Sequence, residues 1–124
     1  MSKYKSVKTR SSDGILHDSK KEAERWEELL LLQRAGKIRE LKRQVRYILI
    51  PTQYETIERY GKDGKRLKDQ VRMVERPCIY IADFVYHKDS GELVVEDCKG
   101  VRTPGYTIKR KLMLQVYGIR ILET

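Results

Sequence analysis

Two apolar segments that carry acidic residues constrain the fold of this chain more than any other feature. Residues 79–84 run Ile-Tyr-Ile-Ala-Asp-Phe, and residues 94–99 run Val-Val-Glu-Asp-Cys-Lys. Both have the β-branched and aromatic composition of strands, and a short turn, Asp89-Ser90-Gly91, lies between them. We therefore predict two strands, over residues 78–86 and 92–99, that pair antiparallel.

The acidic residues of these strands predict a site. Strict alternation places Asp83 on the opposite face from Tyr80, Ala82, Phe84 and Tyr86. It also places Asp97 and Lys99 together on one face of the second strand. When the strands pair, Asp83 and Asp97 converge in an oxygen-rich site that suits Mg²⁺, with water and a substrate phosphate as further ligands. Lys99 faces the same site, where it can orient or deprotonate an attacking water and offset charge on the phosphate.

A purely structural explanation of the same residues stays open. Asp83 can be a strand-end residue, and Asp97 with Lys99 can form a same-face ion pair worth a fraction of a kcal/mol. Because Asp-x-Lys triplets are common by chance, alternation alone does not decide between the two explanations.

The charge balance favours a polyanionic partner. Lys and Arg number 27 against 18 Asp and Glu among 124 residues, which gives a net charge of +9. Basic residues that displace counterions from phosphates give sequence-independent affinity for nucleic acid. The length predicts a single domain over residues 1–124.

Two other classes of protein are not expected. The longest apolar run, Leu29–Leu32, is far shorter than the roughly 20 residues that span a bilayer, and the first residues lack the apolar stretch of a signal peptide. We therefore expect a cytoplasmic protein without a membrane segment. Cys78 and Cys98 both lie in strand-like runs, and we expect them to be reduced and to serve packing.

The other segments predict two helices, two further strands and a polar hairpin. A capping box of Ser19 and Glu22 begins a helix over residues 20–35, and Gly36 ends it. A stripe of apolar residues in the second helix is expected to pack on the sheet: Ile108, Leu112, Met113 and Val116. The remaining predicted segments are a basic irregular arm (1–14), a strand (44–53), an exposed hairpin or flexible insertion around a Lys-Asp-Gly-Lys turn (54–77), the second helix (106–117) and a terminal strand (119–122).

Familiar catalytic motifs are absent from the sequence. No Gly-rich phosphate loop follows a strand, and no Gly-x-Ser-x-Gly or His-Glu-x-x-His occurs. His17 and His87 have no Ser or Cys nucleophile beside them, so we expect both to be solvated turn residues.

Taken in order along the chain, the acidic positions resemble the PD-(D/E)XK nuclease superfamily. Asp83 matches the first acid of that motif, although Ala82 stands where proline is usual. Residues 97–99, Asp-Cys-Lys, match its acid-x-lysine element. Glu22 matches a glutamate that resolvases and phage-type endonucleases of the superfamily carry on their first helix, with helix capping as the alternative for this residue.

The resemblance covers the chain from about residue 13 to the end, except for residues 54–77, and is strongest to small phage-encoded members of the superfamily. It implies a restriction-endonuclease-like α-β-β-β-α-β core, an α/β fold with a mixed central sheet flanked by helices. It implies four catalytic residues: Glu22, Asp83, Asp97 and Lys99. It also implies Mg²⁺, or Mn²⁺ in its place, with four candidate ligands: Asp83, Asp97, the Cys98 backbone carbonyl and Glu22.

The function expected from this resemblance is a metal-dependent DNA endonuclease, selective for branched DNA in phage DNA metabolism. The candidates for DNA contact are Lys20, Lys21, Arg43, Arg46, Arg102, Lys109, Arg110, Lys111 and Gln115, and a merely solvated basic surface is the alternative for them. A resolvase needs two active sites and hence a homodimer, formed through Leu29–Leu32 or through residues 54–77.

Two other functions stay open. The first is a non-catalytic nucleic-acid-binding accessory protein on the same scaffold, which predicts salt-sensitive binding without cleavage. The second is a sequence-specific nuclease that uses the hairpin at residues 54–77 to contact a DNA groove.

Overall fold

A four-stranded mixed sheet with a helix on each face forms the body of the protein, in a computed structural model that describes residues 7–98 and 101–124. Numbered in chain order, the elements are β1 (Thr9–Arg10), β2 (Leu16–His17), α1 (Lys20–Arg34), β3 (Ile38–Ile50), β4 (Gln53–Tyr60), β5 (Arg66–Glu75), β6 (Cys78–Lys88), β7 (Leu93–Asp97), α2 (Pro104–Tyr117) and β8 (Leu122–Glu123).

The central sheet has the order β3-β6-β7-β8. β6 runs antiparallel to both of its neighbours, whereas β8 pairs parallel to β7, so the sheet is mixed. The elements that build this body follow one another as α1, β3, β6, β7, α2 and β8. The predicted mixed α/β architecture with two helices is therefore confirmed.

Each helix covers a core of its own on one face of the sheet. Trp26 and Leu29 of α1 pack against Phe84, Tyr86 and Val94. On the other face, Tyr106 and Met113 of α2 lie among a second group of buried residues: Leu49, Tyr80, Ala82, Val85 and Val95. Burial of two such apolar layers supplies the main favourable free energy of a fold of this size.

The ends of α1 follow the predicted capping chemistry. The Ser19 hydroxyl accepts a hydrogen bond from the Glu22 N–H at 3.1 Å. At the other end Gly36 has a φ of 74°, a left-handed conformation that glycine adopts without a steric penalty. The predicted helix over residues 20–35 is confirmed, with Ala35 as its C-cap.

The second helix begins two residues earlier than predicted. Thr103 caps it by accepting the Tyr106 N–H at 3.1 Å, and Pro104 fits the first turn because its missing N–H needs no partner there. The predicted stripe is partly wrong. Met113 is buried, but Ile108 and Val116 are 59% and 48% exposed, and Tyr106 provides the second anchor instead.

The limits of three predicted segments also need correction. The strand predicted over residues 44–53 runs from Ile38 to Ile50. Pairing with β6 begins at Ile38↔Lys88 and includes charged residues, whose composition does not indicate a strand. The terminal strand, predicted over 119–122, is Leu122–Glu123. The arm predicted to be irregular contains β1, which pairs with β2, while residues 1–6 lie outside the described residues.

Strict alternation along β6 is wrong. Tyr80 and Ala82 belong to the α2 core together with Val85, whereas Phe84 and Tyr86 belong to the α1 core. The side-chain pattern thus shifts by one residue between Ala82 and Phe84, at Asp83.

A strained residue accompanies this shift on the neighbouring strand. Gln44 has a φ of 54° and lies between the pairs Arg43↔Phe84 and Val45↔Ala82, opposite Asp83. A positive φ in a non-glycine residue distorts a strand locally, much as a β-bulge does, and changes which face the following side chains occupy. Such strain often marks a functional site.

The predicted polar hairpin is present as a separate two-stranded sheet made of β4 and β5. Its turn is closed by a hydrogen bond from the Gly61 N–H to the Lys65 carbonyl at 2.8 Å, and Gly64 takes a φ of 80°. All ten residues of β5 are exposed. The hairpin is continuous with β3 and β6 along the chain and projects from the body.

Three smaller predictions have mixed outcomes. His17 is not a solvated turn residue: it is buried and shares a hydrogen bond of 3.0 Å with Ser11. His87 lies within β6, half-buried, with its Nδ1 atom 3.0 Å from Glu40. Cys78 and Cys98 are both free thiols, as expected.

Over the residues that the structure describes, no helix is long and apolar enough to cross a bilayer.

Candidate functional site

Asp83 lies at the point where β6 and β7 separate. β7 pairs with β6 from His87↔Leu93 to Phe84↔Glu96, so the first half of β6 continues past the end of β7. The Oδ2 atom of Asp83 accepts a hydrogen bond from the Cys98 N–H at 2.8 Å. This bond ties the segment leaving β7 to the strand beside it and fixes the Asp83 carboxylate at the fork.

Asp97, the last residue of β7, is on the α2 side of the same fork. It is 2% exposed, and the Tyr80 hydroxyl donates to its Oδ2 atom at 2.6 Å. Burial, followed by this hydrogen bond to Asp97, raises the pKa of Tyr80 well above its usual range. Tyr80 therefore remains protonated and able to donate this hydrogen bond to Asp97.

A groove of about 440 Å³ opens at this fork and brings acidic and basic side chains together. Its lining combines the two carboxylates with two cations and with the start of α2, and consists of Arg46, Ile79, Tyr80, Ile81, Asp83, Asp97, Thr103, Gly105, Tyr106 and Lys109. Burial, with a smaller effect from the Asp97 carboxylate, raises the pKa of Tyr106 to about 12. Asp83 and Asp97, which were predicted to converge, both line this groove.

Glu22 is close to this arrangement but is not among the residues that line the groove. Its carboxylate accepts the Asp18 N–H at 3.2 Å and the Gln44 side-chain amide at 3.5 Å. Burial raises the pKa of the Cys98 thiol, the hydrogen bond with Thr124 and the charge of Lys21 oppose this rise, and the Asp83 and Glu22 carboxylates add smaller upward effects. Glu22 therefore acts on Cys98 only through its charge, whereas Asp83 accepts a hydrogen bond from the Cys98 backbone N–H.

The remaining catalytic candidate, Lys99, lies outside the described residues. Over residues 7–98 and 101–124 no group of three or more His, Cys, Asp or Glu side chains is arranged to hold a metal ion. The described part of the site is thus a pair of carboxylates at the groove with a third carboxylate behind it.

Of the nine residues predicted to contact DNA, the groove includes two, Arg46 and Lys109. Arg102 and Arg110 instead pair with Glu123, at 2.6 and 3.4 Å. Arg110 and Lys111 line a separate groove of about 360 Å³ beside the end of the chain. These contacts place half of the predicted basic surface around α2.

The other four candidates lie elsewhere. Lys20 pairs with Glu24 on the exposed side of α1 at 3.9 Å. Lys21 lines a groove of about 310 Å³ that also includes Cys98. Arg43 is half-buried in β3, and Gln115 is exposed on α2.

Sequence reasoning missed the partners that hold the acidic residues in place. Glu96, 0% exposed, accepts two hydrogen bonds from Arg25, at 2.8 and 2.7 Å, and one from the Tyr86 hydroxyl. Glu96 is thus occupied by a structural ion pair, while Asp97 faces the groove. Alternation in β7 correctly separates these two acids, but no local signal identifies Arg25 as the partner, because it lies 71 residues away in the sequence.

The comparison of the sequence with protein families gives one match. A model described as "Protein of unknown function (DUF1064)" matches residues 1–121. The chain belongs to this family. No curated protein and no solved structure matches the chain. DUF1064 membership covers nearly the whole chain and therefore includes both the forked strands and the hairpin.

Proposed function

We propose that this DUF1064 protein is a metal-dependent DNA endonuclease. The observation that carries the proposal is the groove at the β6–β7 fork, in which Asp83 and Asp97 face the cations Arg46 and Lys109. Phosphodiester hydrolysis needs ligands for a hard cation and positive charge for the flanking phosphates, and these residues supply both. The superfamily resemblance of Asp83, residues 97–99 and Glu22 supports the same activity.

The donor set fits Mg²⁺ better than a structural metal. Mg²⁺ is usually held by one or two carboxylates and completed by waters and substrate phosphates, whereas structural zinc requires four Cys or His ligands. The described residues offer two carboxylates at the groove and no larger chelating group. Asp83 and Asp97 would hold the ion, with the Cys98 carbonyl as a further ligand, and Mn²⁺ would substitute. When bound, such an ion activates water and offsets charge on the phosphate.

The other side chains have distinct roles in this proposal. Tyr80 keeps Asp97 oriented through the hydrogen bond at 2.6 Å. Arg46 and Lys109 neutralise phosphates on either side of the scissile one. Lys99 follows the Asp97-Cys98 pair and serves the attacking water. Glu22 acts from behind the groove, through Gln44 and the surroundings of Cys98.

Branched DNA is the proposed substrate class. The basic residues of the groove, Arg46 and Lys109, suit contact with the backbone and the shape of the DNA rather than with base edges. The restriction-endonuclease-like core is proposed on the same grounds, from the element order α1-β3-β6-β7-α2-β8 around the mixed sheet.

Cleavage of end-labelled duplex, flap and four-way-junction DNA tests this function. The purified chain is incubated with Mg²⁺, Mn²⁺ or EDTA, together with Asp83→Asn, Asp97→Asn and Lys99→Ala. We expect metal-dependent cleavage, reduced at least 100-fold in each variant, and unchanged cleavage by Asp89→Asn, an exposed carboxylate in the β6–β7 turn. Full cleavage by the Asp97→Asn variant contradicts the site.

A second readout separates metal binding from activity. Tb³⁺ at the site would be sensitised by excitation of Tyr80, whose hydroxyl lies 2.6 Å from Asp97. We expect luminescence that Mg²⁺ competes away and that Asp83→Asn weakens. Binding of DNA that salt abolishes, with neither cleavage nor Tb³⁺ luminescence, favours the non-catalytic binding protein instead.

A further inference from the structure

An exposed apolar patch lies beside the groove, on the same face of the sheet as α1. Arg46↔Ile81 and Ile48↔Ile79 are cross-strand pairs two residues apart, so the four side chains share a face. Ile48 and Ile81 are 52% and 48% exposed, and Ile79 is half-buried. None of the three isoleucines is part of the described core under α1. We call Ile48, Ile79 and Ile81 the isoleucine patch.

The position of α1 explains why the patch is open. The core under α1 begins on β6 at Phe84. The preceding half of β6 is covered on its other face by α2, in a core that includes Tyr80 and Ala82. One face of this half of the strand therefore packs inside the protein, while the face that carries Ile79 and Ile81 lies at the surface.

The patch continues into the groove at the fork. Ile79 and Ile81 line that groove together with the two carboxylates and the two cations of the site. In the described part of the chain, neither Arg46 nor Lys109 forms a salt bridge with a carboxylate. A phosphate can therefore reach these cations without displacing an acidic partner. The groove thus offers cations and apolar side chains next to each other.

The size of the patch distinguishes between possible occupants. Residues two apart on a strand are separated by roughly 7 Å and neighbouring strands by about 5 Å, so the three isoleucines cover an area close to that of one nucleobase. A stable protein partner buries on the order of 800 Å² on each side, far more than three side chains provide. A nucleotide presents an apolar ring face and a sugar next to a phosphate, which matches isoleucines next to an arginine.

We propose that the isoleucine patch receives the base and sugar of an unpaired nucleotide whose phosphate contacts Arg46. In a duplex the ring faces of the bases are stacked on one another, so only an unpaired nucleotide can place one on the patch. The inference rests on the proposed nuclease activity and narrows its substrate class. The preferred DNA has a single-stranded flap or fork, rather than a four-way junction whose bases are all paired.

Binding of matched DNA substrates without cleavage tests the inference. Labelled flap DNA and fully paired duplex DNA of the same sequence are titrated with the full chain in EDTA, and binding is followed by fluorescence anisotropy. We expect the flap to bind at least tenfold more tightly than the duplex. Ile48→Thr/Ile81→Thr, which keeps β-branched side chains in both strands, should reduce this preference to less than about twofold and leave duplex binding unchanged.

The matched control is Leu93→Thr. Leu93 is an exposed apolar residue at the start of β7, whereas the groove lies at the other end of that strand. We expect this variant to keep the full preference for the flap.

Two further measurements separate the phosphate contact from the apolar contact. Loss of a phosphate contact weakens binding of all DNA alike, so we expect Arg46→Gln to lower the affinity for flap and duplex by similar factors. The fluorescent base 2-aminopurine, placed in the flap, reports a change in its stacking. We expect its fluorescence to change on binding of the wild-type chain and to change less than half as much with Ile48→Thr/Ile81→Thr.

Three results overturn the inference. Equal binding of flap and duplex by the wild-type chain shows that no unpaired nucleotide is recognised. A preference that survives in Ile48→Thr/Ile81→Thr, or that Leu93→Thr also removes, shows that the patch is not the contact. A dimer in sedimentation equilibrium that dissociates in Ile48→Thr/Ile81→Thr assigns the patch to a second copy of the chain.

Failure of the nuclease proposal gives a different result. A preference for the flap that depends on the patch, without cleavage of any DNA in Mg²⁺ or Mn²⁺, supports the nucleotide subsite and contradicts the nuclease activity. Cleavage of flap and duplex at equal rates, with no difference in binding, supports the activity and contradicts the subsite.

Discussion

The hydrogen bond from Tyr80 to Asp97 contributes to the stability of the protein and also holds a carboxylate that lines the groove. In the Tyr80→Phe variant a carboxylate that is 2% exposed loses its hydroxyl donor. Loss of a hydrogen bond to a charged group costs about 1.5–3 kcal/mol, so we expect the free energy of unfolding to fall by about 2 kcal/mol. Urea denaturation followed by the fluorescence of Trp26, the single tryptophan, measures this change.

The control for that variant is Tyr60→Phe. Tyr60 also donates to a carboxylate, that of Glu58 at 3.0 Å, but it is 58% exposed at the tip of the hairpin. Water replaces such a bond, so we expect a change of less than about 0.5 kcal/mol. Equal decreases in the free energy of unfolding of the two variants would show that the buried bond to Asp97 stabilises the protein no more than the exposed bond to Glu58.

Asp13 makes the free energy of unfolding depend on pH in the acid range. The pKa of Asp13 is lowered, first by the hydrogen bond from Ser11 and then by the indole N–H of Trp26, which donates at 2.8 Å. A lowered folded-state pKa contributes stability that is complete above the ordinary value of about 3.9 and is lost as the pH falls below it. We expect Asp13→Asn to remove part of the stability loss between pH 4 and pH 2.5, measured by urea denaturation at each pH.

Single residues also show which features of the site the sequence predicts and which it does not. The convergence of Asp83 and Asp97 follows from turn position and strand pairing, both of which are local. The one-residue shift of side-chain alternation at Asp83 accompanies a positive φ at Gln44, about 40 residues earlier in the sequence. No pattern in the sequence around either residue predicts this shift. His17 is buried for a similar reason: its partner Ser11 belongs to a turn that folds back onto α1.

An ion pair between Arg25 and the buried Glu96 adds to the apolar packing that attaches α1 to the sheet. Arg25 donates two hydrogen bonds to Glu96, and these also hold β7, whose next residue is Asp97. Removing one partner of a buried pair leaves an uncompensated charge and typically costs 3–5 kcal/mol. We expect Arg25→Met to lower the free energy of unfolding by about 3 kcal/mol, and Arg25→Met/Glu96→Gln to recover at least half of this loss.

Lys20→Met on the same helix is the matched control for Arg25→Met. Lys20 pairs with Glu24 at 3.9 Å, and both side chains are mostly exposed. Exposed pairs of this kind contribute about 0.2–1 kcal/mol, so we expect little change in urea denaturation. A double variant no more stable than Arg25→Met would show that packing of the arginine stem, rather than its charge, attaches α1.

Elements with strong local signals were predictable, and elements defined by distant pairing were not. The capping box at Ser19 and the left-handed Gly36 fix α1, and the turn residues fix the β6–β7 and β4–β5 hairpins. The first half of β3 has a charged sequence, yet it is a strand because it pairs along β6. β8 is two residues long and exists through parallel pairing with Glu96 and Asp97, which local propensity cannot indicate.

The molecule divides into a body that contains the groove and a hairpin that does not contribute to it. Each residue that lines the groove belongs to β3, β6, β7, α2 or the turn before α2. The hairpin makes its own two-stranded sheet and carries one of the nine net positive charges. Folding and groove chemistry should therefore be separable from the hairpin.

Replacing residues 51–77 by an Asn-Gly turn tests this separation. Ile50 and Cys78 are cross-strand partners, so a two-residue turn can join β3 directly to β6, and α2 still holds the end of β3 through the Tyr117 hydroxyl, which donates to the Ile48 carbonyl at 2.7 Å. We expect one cooperative unfolding transition, with a free energy of unfolding within about 1 kcal/mol of that of the full chain. Metal-dependent cleavage should persist in the shortened chain. A shortened chain that does not fold would show that the hairpin is integral to the body, and one that folds without cleaving would show that the hairpin takes part in the activity.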